Sequence, residues 1–156
     1  MNYVFDTSPL STLFKNYYPS TFRTLWANFD LLVQTGIVVS TREVLRELRD
    51  GPVPEAVTWA EAHEDLFAMP TGPEAEFVAQ IYSVRHFQQN IEQQKLLKGG
   101  KNADPFVIAR AAVERRTVVT VEQAKPNGAK IPNICQRFGV KCVSLQEFMK
   151  EQNWVF

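Results

Sequence analysis

The stretch Asn102-Ala103-Asp104-Pro105-Phe106-Val107-Ile108-Ala109-Arg110-Ala111 decides how the rest of the sequence is interpreted. Aspartate and proline before an apolar run predict a helix start, because aspartate accepts hydrogen bonds from free backbone N–H groups and proline suits the first helical position. The residues from Phe106 onward continue as a helix with a broad apolar face. Taken alone, Asp104 is a helix cap; two other acids suggest a second interpretation.

These two carboxylates each follow an apolar run that is typical of a strand. Asp6 stands at the exit of Tyr3-Val4-Phe5, and Glu122 follows Thr117-Val118-Val119-Thr120-Val121. If the two runs are neighbouring parallel strands, their carboxyl ends meet at one edge of a sheet, which is where such sheets bind ligands. The helix from Asp104 begins at the same edge. We therefore interpret the chain as organised around an acidic cluster there.

Short β-branched runs alternate with helical segments along the chain, which indicates parallel βαβ units in an α/β fold. The predicted strands are residues 3–6, 37–39, 117–121 and 140–143. Ser8 and Pro9 predict the start of the first helix, and Ser40 with Glu43 matches a capping box at the start of another. A long helical pattern covers residues 74–97 and is broken by Gly99-Gly100.

Length and composition limit the classes of protein that fit. The chain of 156 residues fits a single domain over 1–156, with no internal repeat and no linker, and 45% hydrophobic with 22% charged residues is typical of globular proteins. Seventeen basic and seventeen acidic residues cancel. This balance argues against a strongly basic nucleic-acid clamp and still allows a local basic surface.

The cysteines and the hydropathy give the expected compartment. Cys135 and Cys142 lie in apolar contexts and form neither a disulfide framework nor a zinc-ligand set, so we expect reduced core thiols. The first residues lack the pattern of a signal peptide, and no apolar run approaches the roughly 18 residues of a membrane span. We therefore expect a cytoplasmic protein with no membrane partner. Trp154 and Phe156 are expected to cover the core.

Converging carboxylates repel one another, so a cluster of them needs a bound cation. Oxygen ligands suit magnesium or manganese, ions that can activate water for phosphodiester hydrolysis. His63 and His86 have no metal-ligand spacing and are expected at the surface. Glu47 is a candidate fourth acid, because Glu43 already has the capping role. A solvated helix glutamate remains the alternative for Glu47.

Four motifs in order now resemble those of PIN-domain ribonucleases. They are Phe5-Asp6-Thr7-Ser8-Pro9-Leu10, Glu43-Val44-Leu45-Arg46-Glu47-Leu48, Ala103-Asp104-Pro105-Phe106-Val107-Ile108-Ala109 and Val119-Thr120-Val121-Glu122. The series runs through nearly the whole chain. It is most similar to an uncharacterised PIN-like branch related to toxin–antitoxin ribonucleases, whose members also carry a Lys-Ile-Pro-x-x-Cys segment, here Lys130 to Cys135.

The resemblance implies a three-layer α/β/α sandwich with a mainly parallel sheet. It implies a magnesium- or manganese-dependent endoribonuclease that hydrolyses single-stranded RNA. Asp6, Glu47, Asp104 and Glu122 would hold the metal and orient the attacking water, and Thr120, with Ser8 as a weaker candidate, would support them by hydrogen bonds. Glu122 departs from the family, in which this position is commonly aspartate. An antitoxin protein and a homodimer are partners that the resemblance allows.

Other classes fit less well or remain open. A haloacid-dehalogenase phosphatase needs a second aspartate where Ser8 stands, and a receiver domain needs an acid next to Asp6. The alternative that stays open is a catalytically silent PIN-like module that binds RNA or a protein. The basic residues that we would test first as phosphate contacts are Lys95, Lys98, Lys101, Arg110, Arg115 and Arg116.

Overall fold

The computed structural model describes residues 1–98 and 102–156, and of residues 94–98 it describes the backbone alone. The described residues contain the strands β1 (Tyr3–Phe5), β2 (Val38–Thr41), β3 (Phe67–Ala68), β4 (Thr117–Val119) and β5 (Cys142–Val143). They form a sheet in the order β3-β2-β1-β4-β5 in which every pairing is parallel. The predicted parallel sheet is therefore confirmed. The two-residue strand β3 has no counterpart among the predicted strands, because two residues carry no alternation pattern.

Helices connect the strands in the manner that parallel pairing requires. They are α1 (Thr7–Asn16), α2 (Arg23–Gln34), α3 (Arg42–Arg49), α4 (Pro54–Ala62), α5 (Gly72–Ser83), α6 (Gln88–Lys98), α7 (Asp104–Glu114), α8 (Ile131–Phe138) and α9 (Leu145–Glu151). The predicted continuous helix over 74–97 is wrong. Val84 leaves the helical region with ψ 106° and a 3₁₀ turn follows at Arg85–Phe87, so α5 and α6 are separate. The predicted break at Gly99-Gly100 lies outside the described residues.

Aromatic side chains show how the sheet is covered. The ring of Phe148 from α9 lies 4.8 Å from that of Tyr3 and 4.9 Å from that of Phe5. Phe29 from α2 contacts Phe5 at 5.4 Å on the same face of β1. Val4 points to the opposite face by strand alternation, and α7 packs against β1, β2 and β4. Helices on both faces of the sheet give the predicted α/β/α sandwich.

The first helix begins earlier than predicted. Ser8 as cap and Pro9 at the first helical position are wrong, because α1 starts at Thr7 and Asp6 occupies the N-cap position. β1 ends at Phe5, so a single extended residue, Asp6, connects strand and helix. This tight connection holds Asp6 at the carboxyl edge of the sheet.

The C-terminal residues follow the prediction in part. Trp154 is partly buried and its ring packs against Phe148 at 5.5 Å, whereas Phe156 is 65% exposed. Phe156 therefore covers little of the core, contrary to expectation. None of the helices in the described part of the chain is both long and apolar enough to cross a membrane.

Candidate active site

Asp6 lies at the carboxyl end of the central strand, with 2% of its surface exposed. Its backbone N–H donates to the carbonyl of Val119 at 3.0 Å, and its Oδ2 accepts a hydrogen bond from Thr120 Oγ1 at 3.0 Å. Thr120 is itself buried and follows β4 directly. The neighbouring parallel strands β1 and β4 thus bring these two predicted site residues into contact.

Glu47 is a buried acid of α3, not a solvated helix glutamate. Its exposure is 8%, and both carboxylate oxygens accept hydrogen bonds from other elements. Thr7 Oγ1 donates to Oε1 at 2.6 Å, and the backbone N–H of Ala103 donates to Oε2 at 3.0 Å. Thr7 follows Asp6 in the chain and Ala103 precedes Asp104. Glu47 therefore connects the segments that carry the other two acids.

Asp104 does not cap α7. The N-cap residue is Ala103, and the backbone N–H of Asp104 donates to Oδ1 of Asn102 at 3.1 Å, so Asn102 binds the free helix end. The carboxylate of Asp104 is 1% exposed, and its Oδ2 accepts from Asn90 Nδ2 at 2.9 Å. The capping interpretation of Asp104 is wrong because Ala103 holds the N-cap position and Asp104 is already the first residue of α7. We call Asp6, Glu47 and Asp104 the acid site.

Asn90 is a residue of this site that the sequence analysis missed. It is 1% exposed, and its Nδ2 donates to Asp104 and, at 3.1 Å, to the carbonyl of Ala129. Its Oδ1 accepts from Tyr82 Oη at 3.1 Å and from Asn102 Nδ2 at 2.6 Å. Asn90 lies in a run of glutamine and asparagine, where no pattern separates a buried amide from solvated ones. Its spacing of three residues after the buried Phe87 is the one available signal.

Glu122 lies near the acid site but its carboxylate has a structural contact. Its backbone N–H donates to Thr120 Oγ1 at 3.2 Å, so Thr120 bonds both to this residue and to Asp6. Its Oε2 accepts from the backbone N–H of Ile131 at 3.0 Å, at the start of α8. An anion is favourable at a helix N-terminus, which accounts for this position. Glu122 is partly exposed, unlike the three buried acids.

The capping box predicted for α3 does not form. Thr41 is the N-cap, and its side chain accepts from the N–H of Val44 at 3.3 Å. Ser40 remains in β2, where its buried Oγ donates to the carbonyl of Phe5 at 2.7 Å. Glu43 instead pairs with Arg42 at 3.0 Å. The capping role of Ser40 and Glu43 is wrong because β2 continues to Thr41, two residues beyond the predicted strand 37–39.

Charges within this region also act on buried neighbours. A hydrogen bond to Cys142 and burial raise the pKa of the Cys135 thiol, and the charges of Asp104 and Asp6 raise it further. Burial and the charge of Asp104 likewise raise the pKa of the Tyr82 phenol, which remains a neutral donor. Both cysteines are free thiols, as predicted, although Cys142 is only partly buried. The charges of Asp6 and Asp104 therefore both reach the Cys135 thiol.

Two of the three arginines proposed as phosphate contacts, Arg110 and Arg116, have other contacts. Arg110 bonds to Glu114 at 2.8 Å and donates to the carbonyls of Ser40 and Leu66. Arg116 bonds to Glu114 at 2.7 Å and, like Arg115, precedes β4, so both lie at the amino edge of the sheet, opposite the acids. The side chains of Lys95 and Lys98, and all of Lys101, lie outside the described residues.

The donor set fits a magnesium or manganese ion in its chemistry. The acid site offers buried carboxylate oxygens, which are the ligands that these hard cations prefer. Its side chains are oriented by hydrogen bonds from Thr120, Thr7 and Asn90. Within residues 1–98 and 102–156, no three or more His, Cys, Asp or Glu side chains already form a metal-holding group. The type of ligand atom therefore fits a magnesium or manganese ion, but the described side chains are not arranged as a complete metal-binding group.

Comparisons with known proteins place the chain in a family and relate its fold to a solved structure. The family model described as "Domain of unknown function (DUF4411)" matches residues 3–156. No curated protein matches significantly. One similar solved chain comes from the crystal structure of VapBC2 from Rickettsia felis bound to a DNA fragment from their promoter, with 16% identity, a TM-score of 0.51 and coverage of 92% of this chain and 98% of that chain. At this identity the likeness shows the fold alone, and the observed α/β/α arrangement is consistent with a PIN-like fold.

Proposed function

We propose that this chain, which belongs to the DUF4411 family, is a PIN-like ribonuclease that hydrolyses single-stranded RNA with magnesium or manganese. The observation that carries the proposal is the acid site at the carboxyl edge of the sheet: three buried carboxylates, one from the residue that connects β1 to α1, one from α3 and one from α7. Carboxylate oxygens are the ligands that magnesium and manganese prefer in proteins. A divalent ion held by them could activate water for cleavage of a phosphodiester bond.

Each residue has a role in this proposal. Asp6, Glu47 and Asp104 would hold the ion, which supplies Lewis acidity toward water and the scissile phosphate. Thr120 positions the Asp6 carboxylate, and Asn90 positions that of Asp104, through hydrogen bonds of 3.0 Å and 2.9 Å. Glu122 is the fourth proposed acid. Because one of its oxygens bonds to the Ile131 N–H, its share in holding the ion would be smaller.

The solved relative supports a proposal about partners. That structure is of VapBC2 bound to a DNA fragment from the VapBC2 promoter. We propose by analogy that this chain is the toxin of a toxin–antitoxin pair, with an antitoxin protein as partner and the cytoplasm as its compartment. A homodimer stays a prediction.

A catalytically silent module that binds RNA or a protein is the second candidate. Two observations favour it: the described residues form no three-ligand metal group, and the Glu122 carboxylate already bonds to the α8 backbone. Such a module would retain a fixed acid site without turnover. Metal-dependent cleavage separates the two candidates.

The deciding experiment measures cleavage of a labelled single-stranded RNA with manganese, with magnesium and with EDTA. Asp104→Asn keeps the shape of the side chain and an oxygen that can accept from Asn90, so the fold should persist. Loss of the charge should lower cleavage by a factor on the order of a hundred or more, the scale seen when one preorganised stabilising group of an active site is removed.

Asp65→Asn is the matched control, because Asp65 is exposed in the 3₁₀ turn Glu64–Leu66. This variant should cleave RNA at the wild-type rate. Cleavage that persists in EDTA, or an Asp104→Asn variant with wild-type turnover, would contradict the proposal.

A further inference from the structure

A pocket of about 420 Å³ opens beside the acid site, between α3, α5, α6 and α7. Its lining is mainly apolar and aromatic, from Val78, Tyr82, Ile91, Pro105 and Phe106. Three charged side chains of α3 complete it: Arg42, Glu43 and Arg46. We call it the arginine pocket. Its size and its few polar groups on an apolar wall are typical of small-ligand sites.

Glu43 gives the pocket an acceptor that the described protein does not use. The residue is 8% exposed, and its Oε1 accepts from the Arg42 guanidinium at 3.0 Å. Its Oε2 is buried and has no hydrogen-bond partner among the described residues. A buried carboxylate oxygen without a hydrogen-bond donor destabilises the fold, because it has lost its hydration without replacement. Because Glu43 lines the pocket, a rotation of its side chain would turn this oxygen toward a ligand that brings an N–H donor.

The two arginines add a second requirement. Arg42 has 33% of its side chain exposed, and Arg46, one helical turn later, is exposed. Guanidinium groups bind phosphate oxygens through paired N–H donors and also stack on planar rings. A ligand with a flat polar ring and an attached phosphate would therefore match the aromatic wall, the acceptor and the cations together.

The pocket shares a wall with the acid site. Pro105 follows Asp104 in the chain, and Asn102 both lines the pocket and bonds to Asn90, which holds the Asp104 carboxylate. Asn102 also donates to Tyr82 Oη at 3.0 Å and so fixes the aromatic wall. A nucleotide in the pocket would place its neighbouring phosphodiester next to the acids.

We propose that the arginine pocket binds the base of the nucleotide beside the cleaved bond and prefers bases that carry an exocyclic amine. The assignment of this ligand to an RNA strand rests on the proposed function. Proteins read single-stranded bases by stacking and by hydrogen bonds to their polar edges, and glutamate accepts from the amine of cytosine. Guanine, adenine and cytosine offer such an amine to Glu43. Uracil would place carbonyl oxygens beside the ring N–H and near the carboxylate, which repels them.

The test measures binding of GMP, AMP, CMP and UMP to the full chain by titration calorimetry in EDTA, so that no cleavage is needed. We expect UMP to bind more weakly than the other three, on the order of tenfold, the scale of one hydrogen bond to a charged group. Glu43→Gln should remove this difference, because its amide can donate to the uracil carbonyl. Arg46→Gln should weaken the binding of all four nucleotides by a similar factor.

Matched controls are Glu55→Gln and Arg23→Gln, two exposed residues that do not line the pocket and should leave binding unchanged. Melting curves establish that each variant is folded. Equal binding of the four nucleotides to wild type, or no binding, would overturn the proposal without any variant. An unchanged order in folded Glu43→Gln would overturn it too.

The outcomes for pocket and ribonuclease are distinguishable. If wild type shows the expected order and Glu43→Gln abolishes it, the pocket proposal stands even when no RNA is cleaved. If RNA is cleaved with metal while the four nucleotides bind equally, the ribonuclease proposal stands and the pocket proposal fails.

Discussion

Asn90 shows how one side chain can fix several parts of a site. A carboxamide has two donors and two acceptor positions, and all of them are used, toward Asp104, Ala129, Tyr82 and Asn102. An aspartate at this position would place a second carboxylate against Asp104, and an apolar residue would leave the four groups without this partner. Asn90 therefore orients a proposed metal-holding acid and fixes one wall of the arginine pocket.

Asn90→Ala is expected to destabilise the protein by about 2–3 kcal/mol, because it leaves buried polar groups without the hydrogen bonds that Asn90 makes. The measurement is the free energy of unfolding from urea titration. Gln89→Ala is the matched control, since Gln89 is exposed in the same helix and should change stability by less than about 0.5 kcal/mol. Equal midpoints for the two variants would show that the Asn90 network contributes little.

The loop between β4 and α8 is held in place by side chains at its ends. Asn133 Oδ1 accepts from the N–H groups of Lys125 at 3.3 Å and Lys130 at 3.2 Å, and its Nδ2 donates to the Lys125 carbonyl at 2.8 Å. Glu122 closes the same loop through the Ile131 N–H. The loop in turn presents the carbonyl of Ala129 to Asn90. Loop and acid site are therefore mechanically linked.

Gly128→Ala should loosen this loop. A Cβ there would lie 2.9 Å from the Lys125 carbonyl oxygen and 2.9 Å from Asn133 Oδ1, closer than real contacts allow. We expect a loss of about 1–3 kcal/mol in the free energy of unfolding, as for other overpacked sites. Gly72→Ala is the control, because nothing lies within 4 Å of its added Cβ, and it should be neutral or slightly stabilising. Equal stability of the two variants in urea titration would contradict the expected crowding at Gly128.

Element ends show where sequence reasoning fails. Ser40 and Thr41 are both good caps, and the choice between them depends on how far β2 extends. Pairing of β2 with β1 and β3 carries the strand to Thr41 and turns Ser40 toward the carbonyl of Phe5. Asn102 replaces Asp104 at the start of α7 for a similar reason, since Asp104 is bound to Asn90. Tertiary contacts, which local patterns do not contain, decide these ends.

At the scale of the whole molecule, the sequence predicted what parallel topology dictates. Asp6 and Thr120 meet because β1 and β4 pair in parallel, and Glu47 is buried because α3 begins at the same edge. The place of Asn90 and the arginine pocket could not be predicted. Both depend on the break at Val84, which sets how α5 and α6 lie against α7.

Manganese or magnesium should stabilise the fold, because an ion that binds only the native acid site shifts unfolding by mass action. At concentrations far above the dissociation constant we expect the melting temperature to rise by a few degrees. Asp104→Asn should reduce the shift, and Asp65→Asn should retain it. Melting curves with and without millimolar manganese give the measurement. An unchanged melting temperature in folded wild type would count against an ion at the acid site.

The central position of β1 has a consequence for synthesis on the ribosome. The first strand is made first, but its partner β4 ends at Val119, and the bond from Thr120 to Asp6 spans 114 residues. A nascent chain that has not yet reached Val119 therefore cannot complete the edge that carries the acids. Long-range parallel pairing of this kind also forms slowly. With the proposed ribonuclease activity, the chain would therefore leave the messenger RNA that encodes it uncleaved until β4 has been made.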